Sequence, residues 1–159
     1  SGNTVFLKDS EEIRLREEER EESNILESSI QETEKVQLIK SRRGQGLFKQ
    51  RLCEIEDRCR VTAMADQRFL IASHIKPWCK SDHNEKLDGN NGLLLAPHID
   101  KLFDNGWISF TDTGDILVLD MSIEEVVVSW GIRPDLNVGF FNPKQKVFLA
   151  FHRREVFRD

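Results

Sequence analysis

Ile71-Ala72-Ser73-His74-Ile75-Lys76-Pro77-Trp78 and Asn90-Asn91-Gly92-Leu93-Leu94-Leu95-Ala96-Pro97-His98-Ile99-Asp100-Lys101-Leu102-Phe103-Asp104 set the architecture of this 159-residue chain. Phe69 to Ala72 and Gly92 to Leu95 read as short strands, the second apolar enough to be buried on both faces. Pro97 then introduces a short helix over His98 to Asp104. A histidine ends the first strand, a polar loop of about fifteen residues follows, and an asparagine opens the second strand. The order strand, loop, strand, helix points one base and one or two metal ligands into a single cleft.

Working outward, Ser29-Ile30-Gln31-Glu32 has capping-box spacing ahead of Val36, Leu38 and Ile39, which predicts a helix to about Arg42. Gly44 and Gly46 interrupt it. Leu47, Phe48, Leu52 and Ile55 predict a second amphipathic helix across 47–57. Arg60-Val61-Thr62 reads as a further strand. Trp107 to Phe110 and Ile116 to Leu119 flank Asp112-Thr113-Gly114-Asp115 as a β-hairpin. Ser122 opens a short helix, and Val147 to Phe157 reads as the last one. The three tryptophans and ten phenylalanines are assigned to packing, as is Phe151-His152-Arg153-Arg154.

The length suits one domain with a real core. With 38% apolar and 32% charged residues, the composition is that of a soluble globular protein. No apolar run approaches the roughly 18–20 residues a membrane helix needs, and the N-terminus carries no apolar signal core. Cys53, Cys59 and Cys79 have no CxxC spacing, which speaks against a disulfide scaffold and against a structural zinc knuckle. Neither Cys59 nor Cys79 carries a local signature of a cysteine nucleophile.

The net charge of −5, taken alone, argues against a nucleic-acid partner. It is unevenly distributed. Ser1 to Lys35 holds eleven acidic and five basic residues, a local net of −6. Val36 to Lys86 holds eleven basic and six acidic residues, a local net of +5. The run Glu17 to Glu22 lacks apolar periodicity, so residues 1–28 are expected to be an acidic extension, a solvated helix or a linker. The chain begins Ser-Gly-Asn, as a trimmed or processed chain would, and the acidic stretch is where a join to an upstream domain is expected.

The two quoted stretches resemble the HNH endonuclease family, whose core is a ββα-metal finger. Further matches to one bacterial branch of that family lie in Arg42-Arg43-Gly44-Gln45-Gly46-Leu47-Phe48, Cys59-Arg60-Val61-Thr62, Leu102-Phe103-Asp104-Asn105-Gly106-Trp107-Ile108-Ser109-Phe110 and Phe151 to Phe157. The resemblance covers about 30–159. It implies an α+β fold, with the ββα-metal finger embedded in a small mixed domain with flanking helices and a β-hairpin. The nuclease domain is placed at 29–159.

Residue by residue, the resemblance makes His74 the general base; a neutral imidazole has a pKa near 6.5 and accepts a proton at neutral pH. Asn91 takes the middle position and orients the base-bearing strand. Asn90 is adjacent, but the nine-residue step from Asn91 to Asp100 suits the family better. Asp100 is implied as a metal ligand on the finger helix. A carboxylate there suits one divalent cation, Mg²⁺ or Mn²⁺. Ser73 stands where many members carry an Asp or His ligand, a departure that leaves room for water, phosphate or His98 to complete the ion's shell.

The activity implied is metal-dependent hydrolysis of DNA phosphodiester bonds in a bacterial restriction or defence protein of the cytoplasm. Double-stranded DNA is the favoured partner, and an upstream target-recognition domain and a dimer are both compatible. Arg42, Arg43, Lys49 and Arg51 around the glycine turn are candidates for gripping phosphates, with Lys76 near the scissile one. The alternative, prompted by Ser73, is a catalytically degraded HNH-fold module that binds nucleic acid.

Overall fold

The computed structural model describes residues 2–157; Ser1 and the last two residues fall outside that span. Seven α-helices and two two-stranded antiparallel sheets form one α+β domain. In chain order these are α1 (Gly2–Glu27), α2 (Glu32–Arg42), α3 (Leu47–Cys53), β1 (Ile71–His74), α4 (His83–Leu87), β2 (Gly92–Leu95), α5 (Pro97–Asp104), β3 (Ile108–Phe110), β4 (Ile116–Val118), α6 (Met121–Ser129) and α7 (Pro143–Phe151). None of the described helices is long and apolar enough to cross a membrane.

The ββα unit is β1, β2 and α5. β1 pairs with β2 from Ile71 opposite Leu95 to His74 opposite Gly92. All four residues of β2 are buried, as its unbroken apolar run requires of a strand covered on both faces. Phe48, Leu93, Leu94, Ile99 and Phe103 lie in the main core at no more than 2% exposure, each worth roughly 1.5–3 kcal/mol of burial. β3 and β4, with α6 and α7, close the far side of that core. A second, smaller cluster joins Ile25 of α1, Leu38 of α2 and Trp78, whose indole donates to the Leu38 carbonyl at 3.2 Å and to Ser41 Oγ at 3.0 Å.

Two glycines shape the site. Gly92 has no side chain because a Cβ there would stand 2.8 Å from the Phe48 ring. Gly44 adopts φ +65°, and a Cβ would meet the Ala72 carbonyl oxygen at 2.4 Å, so the α2–α3 turn lies against β1.

Several local expectations are corrected. α2 starts at Glu32 behind Gln31, which makes no side-chain cap, so the Ser29 capping box does not form. α3 ends at Cys53 instead of 57. Arg60-Val61-Thr62 is a turn, not a strand: Cys59 N donates to the Met64 carbonyl at 2.9 Å, and Ala63 takes φ +64°. Arg60 is spent on a different task, pairing with Glu56 and donating to the carbonyls of Val138, Gly139 and Phe140. The last helix begins at Pro143, capped by Asn142 and Gln145, and loosens into a π-turn over His152–Val156. Trp78 is core, whereas Trp130 is 43% exposed.

α1 is one helix of 26 residues. Along it Glu11, Arg14, Glu17, Glu18, Glu21, Glu22 and Ile25 turn inward, while Glu12, Leu15, Arg16, Glu19, Arg20, Ser23, Asn24 and Leu26 stay exposed. That is a helical period of 3.6 carried by charge in place of apolar residues. The inward face meets the domain through ion pairs: Glu11 with Lys101 at 2.9 Å, Arg14 with Asp104 at 3.2 Å, Glu17 with Lys80 at 3.4 Å, Glu21 with Lys86 at 3.5 Å, and Glu18 and Glu22 with Arg42.

Candidate active site

Strand alternation sends Ser73 and His74 to opposite faces of the hairpin. Ser73 faces α5, where its hydroxyl stands close enough to Asp100 to pull that carboxyl's pKa down. His74 faces α3, where its ring stacks on Phe48 with centroids 3.8 Å apart and planes 9° apart. The space left by Gly92 is what admits that phenyl ring. The His74 Nε2 lies 2.9 Å from the Lys86 carbonyl. A carbonyl only accepts, so Nε2 carries the hydrogen and the lone pair is on Nδ1. Enclosure of the ring lowers the His74 pKa to about 4, against the smaller opposing pull of the Lys86 carbonyl. The imidazole is neutral at pH 7.

Asn91 is fully buried and uses both ends of its amide. Its Oδ1 accepts from Lys76 N at 2.8 Å, and its Nδ2 donates to Ser81 Oγ at 3.2 Å and to the Glu85 carbonyl at 3.1 Å. Its own carbonyl accepts from Ile75 N at 3.1 Å. The side chain thus ties the start and end of the 75–91 loop together directly behind His74. Asn90 makes no such bridge: it caps onto Asp88 and receives the Asn142 amide.

Asp100 is in the first turn of α5. Burial raises its pKa to about 6; the Ser73 hydroxyl pulls it down, Asp104 pushes it up and Arg14 pulls it down again. Ser73, His74 and Asp100 line one cleft of about 250 Å³ together with Arg42, Arg43, Gly44 and Asp104. From α1, Arg14 and Glu18 also reach it. A larger hollow of about 530 Å³ adjoins it under α1 and shares Arg14, Pro77 and Asp104, but contains none of Ser73, His74 or Asp100. The smaller cleft is the candidate site, since it holds Ser73, His74 and Asp100 together.

Not every candidate converges there. His98 is exposed, its ring edge-on to Trp130 at 5.0 Å, and does not line the cleft. Lys76 turns away to Glu85 at 2.8 Å and lies over the Phe151 ring. Arg51 donates to the Leu87 carbonyl at 3.0 Å, and neither it nor Lys49 lines the cleft. Arg43 is exposed at the rim. Arg42 is held by Glu18 and Glu22.

Three features escaped sequence reasoning. Asp104 lines the cleft one turn beyond Asp100, a placement the i, i+4 spacing alone would have revealed. Phe48 carries the His74 ring, and its partner in that role, Gly92, gives no signal without the register. The docked face of α1 was missed because a search for apolar periodicity does not see charged residues.

Residues 59–111 match the family model described as HNH endonuclease. Over that segment, about a third of its length, the chain is similar to the HNH endonuclease family. The match spans β1, β2, α5 and β3, so the ββα unit with Ser73, His74, Asn91 and Asp100 lies wholly inside it. It is narrower than the 30–159 stretch over which the sequence resembles the family. No curated protein matches the chain. An HNH domain carries nuclease-type hydrolytic function in general terms, and HNH nucleases generally use a divalent metal. Among the described residues no group of three His, Cys, Asp or Glu side chains could hold a metal ion. What the cleft offers is a half-buried carboxylate, Asp100, a second carboxylate one turn on, and the Ser73 hydroxyl. Such an all-oxygen set suits a hard dication that keeps most of its water.

Proposed function

We propose that the domain is a DNA endonuclease that hydrolyses phosphodiester bonds with one bound Mg²⁺ or Mn²⁺. The reading is carried by one observation: a neutral histidine of fixed tautomer shares a cleft with a half-buried carboxylate and three arginines. His74 Nδ1 takes a proton from water, and the resulting hydroxide attacks phosphorus in line. The bond to the 3′ oxygen breaks, that oxygen takes a proton from solvent, and the ends are 3′-hydroxyl and 5′-phosphate. Asn91 keeps the loop closed behind the base. Asp100, with Asp104 and Ser73 beside it, would hold the ion. When bound, the ion would offset charge on the phosphorane and on the departing oxygen. Arg42 and Arg43 would grip the flanking phosphates in bidentate fashion.

End-labelled duplex DNA incubated with Mn²⁺ tests the reaction class: products carrying 5′-phosphate ends are expected, and 5′-hydroxyl ends would exclude this chemistry. Ser73, which stands where many members of the family carry a metal ligand, favours one second reading, a degraded module that binds DNA without cutting it. Retardation of duplex DNA with no cleavage under either cation would establish that reading. Action on incoming DNA inside a bacterial cell, guided by an upstream recognition domain, rests on family resemblance. Loss of phage restriction on deleting the gene would support it.

A further inference from the structure

The inward face of α1 contacts Lys101, Lys80, Lys86 and Arg42 through Glu11, Glu17, Glu21 and the pair Glu18–Glu22. Between positions 11 and 22 the helix advances about 16 Å, the axial length of roughly five base pairs. Regularly spaced anions therefore lie along a row of cations that borders the cleft. At the cleft itself Arg14 donates to the Asp104 carbonyl at 3.1 Å and pairs with its carboxylate, so a guanidinium stands beside the acidic residues of α5. Arg42 is the only one of these cations that lines the cleft, and α1 holds it with two carboxylates. Arg14 and Glu18 of α1 line the cleft, so the helix covers part of the surface that a DNA strand would have to approach.

The two ends of the helix are held differently. Ile25 is 1% exposed against Leu38 and Trp78, and Lys35 Nζ donates to the Leu26 carbonyl at 3.0 Å. Residues 11–22, in contrast, are attached to the domain by ion pairs and other polar contacts, several of them half-buried. This makes an apolar hinge at one end and an ionic strap over the rest.

We propose that α1 is an intramolecular mimic of the DNA backbone, its carboxylates occupying the cationic track that phosphates use and so restraining the nuclease until DNA displaces it. The inference rests on the endonuclease reading for its substrate, and it assigns Lys80 and Lys101 to DNA contact alongside Arg42.

The test compares two full-length variants of equal charge. E11Q/E17Q/E18Q/E22Q neutralises paired carboxylates on the inward face. E12Q/E19Q/E124Q/E125Q neutralises exposed ones that make no ion pair among the described residues. Affinity for a fluorescent duplex and the rate of plasmid nicking are read separately, with circular dichroism confirming equal helix content; E18Q/E22Q alone serves as the milder variant. The paired-face variant should bind duplex about tenfold more tightly than the charge-matched variant, with E18Q/E22Q intermediate. Equal affinity of the two fourfold variants would overturn the strap, whether or not the protein nicks DNA. Tighter binding by the paired-face variant without nicking by any protein would uphold the strap and overturn the endonuclease reading.

Discussion

The Nε2–H of His74 donates to the backbone carbonyl of Lys86 across 2.9 Å, which leaves Nδ1 as the ring's lone pair. Lys86 Nζ in turn donates to the Ser81 carbonyl at 2.5 Å and lies 4.8 Å from the Trp78 ring centroid. The residue whose carbonyl orients His74 is thereby fixed by its own buried side chain. Burial also lowers the Lys86 pKa, against the pull of Glu21. Sequence pattern, loop closure and proton bookkeeping meet at this one contact.

The same burial gives a pH signature. Enclosure takes His74 from 6.5 to about 4, and His152, stacked on Phe103 and bonded to Ser109, is taken to about 4 as well. Both rings bind protons less readily in the folded protein, so their contribution is complete above pH 6.5 and lost as pH falls towards 4. Asp100 has the opposite sign: with its pKa raised to about 6 from 3.8, it costs stability above that range and the cost is relieved on acidification. Thermal melts without metal should therefore show stability falling from pH 6.5 to 4.5. Asp100→Asn should be more stable at pH 7 and fall more steeply over that interval. Parallel curves for the two proteins would contradict this assignment.

Asn91→Ala should cost roughly 2–4 kcal/mol in urea unfolding, since it orphans the buried Lys76 N–H and removes the bonds to Ser81 and Glu85. Nicking should fall as well in the fraction that remains folded, because the loop behind His74 loses its tie. An Asn91→Ala protein as stable as the parent would remove the proposed positioning role.

Asp100→Asn should raise the Mn²⁺ concentration giving half-maximal nicking by at least about tenfold. The direct readout is calorimetric Mn²⁺ binding, which should weaken in step. Unchanged Mn²⁺ affinity would place the ion elsewhere.

Much of this was legible in the residues. The apolar run Leu93-Leu94-Leu95 between Asn91 and Pro97 specified a buried strand feeding a helix, and His74 at the end of the other strand followed from the order alone. His98 was misplaced because a helix start allows two adjacent faces, and here packing against Trp130 draws the ring away from the cleft. Lys76 was misplaced because nearness in sequence to the base says nothing of Glu85, which claims its ammonium from across the loop. Arg60 looked like part of a strand, yet it serves Glu56 and three distant carbonyls, partners that only tertiary structure brings near. The acidic segment was the hardest to read. Its net charge suggested a solvated extension, while its inward carboxylates are matched to basic residues of the domain, two of them to Arg42.

The central claim is that His74 supplies the base for cation-dependent cleavage of DNA. Supercoiled plasmid incubated with Mg²⁺ or Mn²⁺ tests it most directly, with His74→Ala and a chelator in parallel. The account predicts nicking by the parent chain, loss of nicking with chelator, and a rate reduced about 10²–10⁴-fold in His74→Ala with the fold retained. Equal nicking by parent and His74→Ala, or none by the parent with either cation, would contradict it.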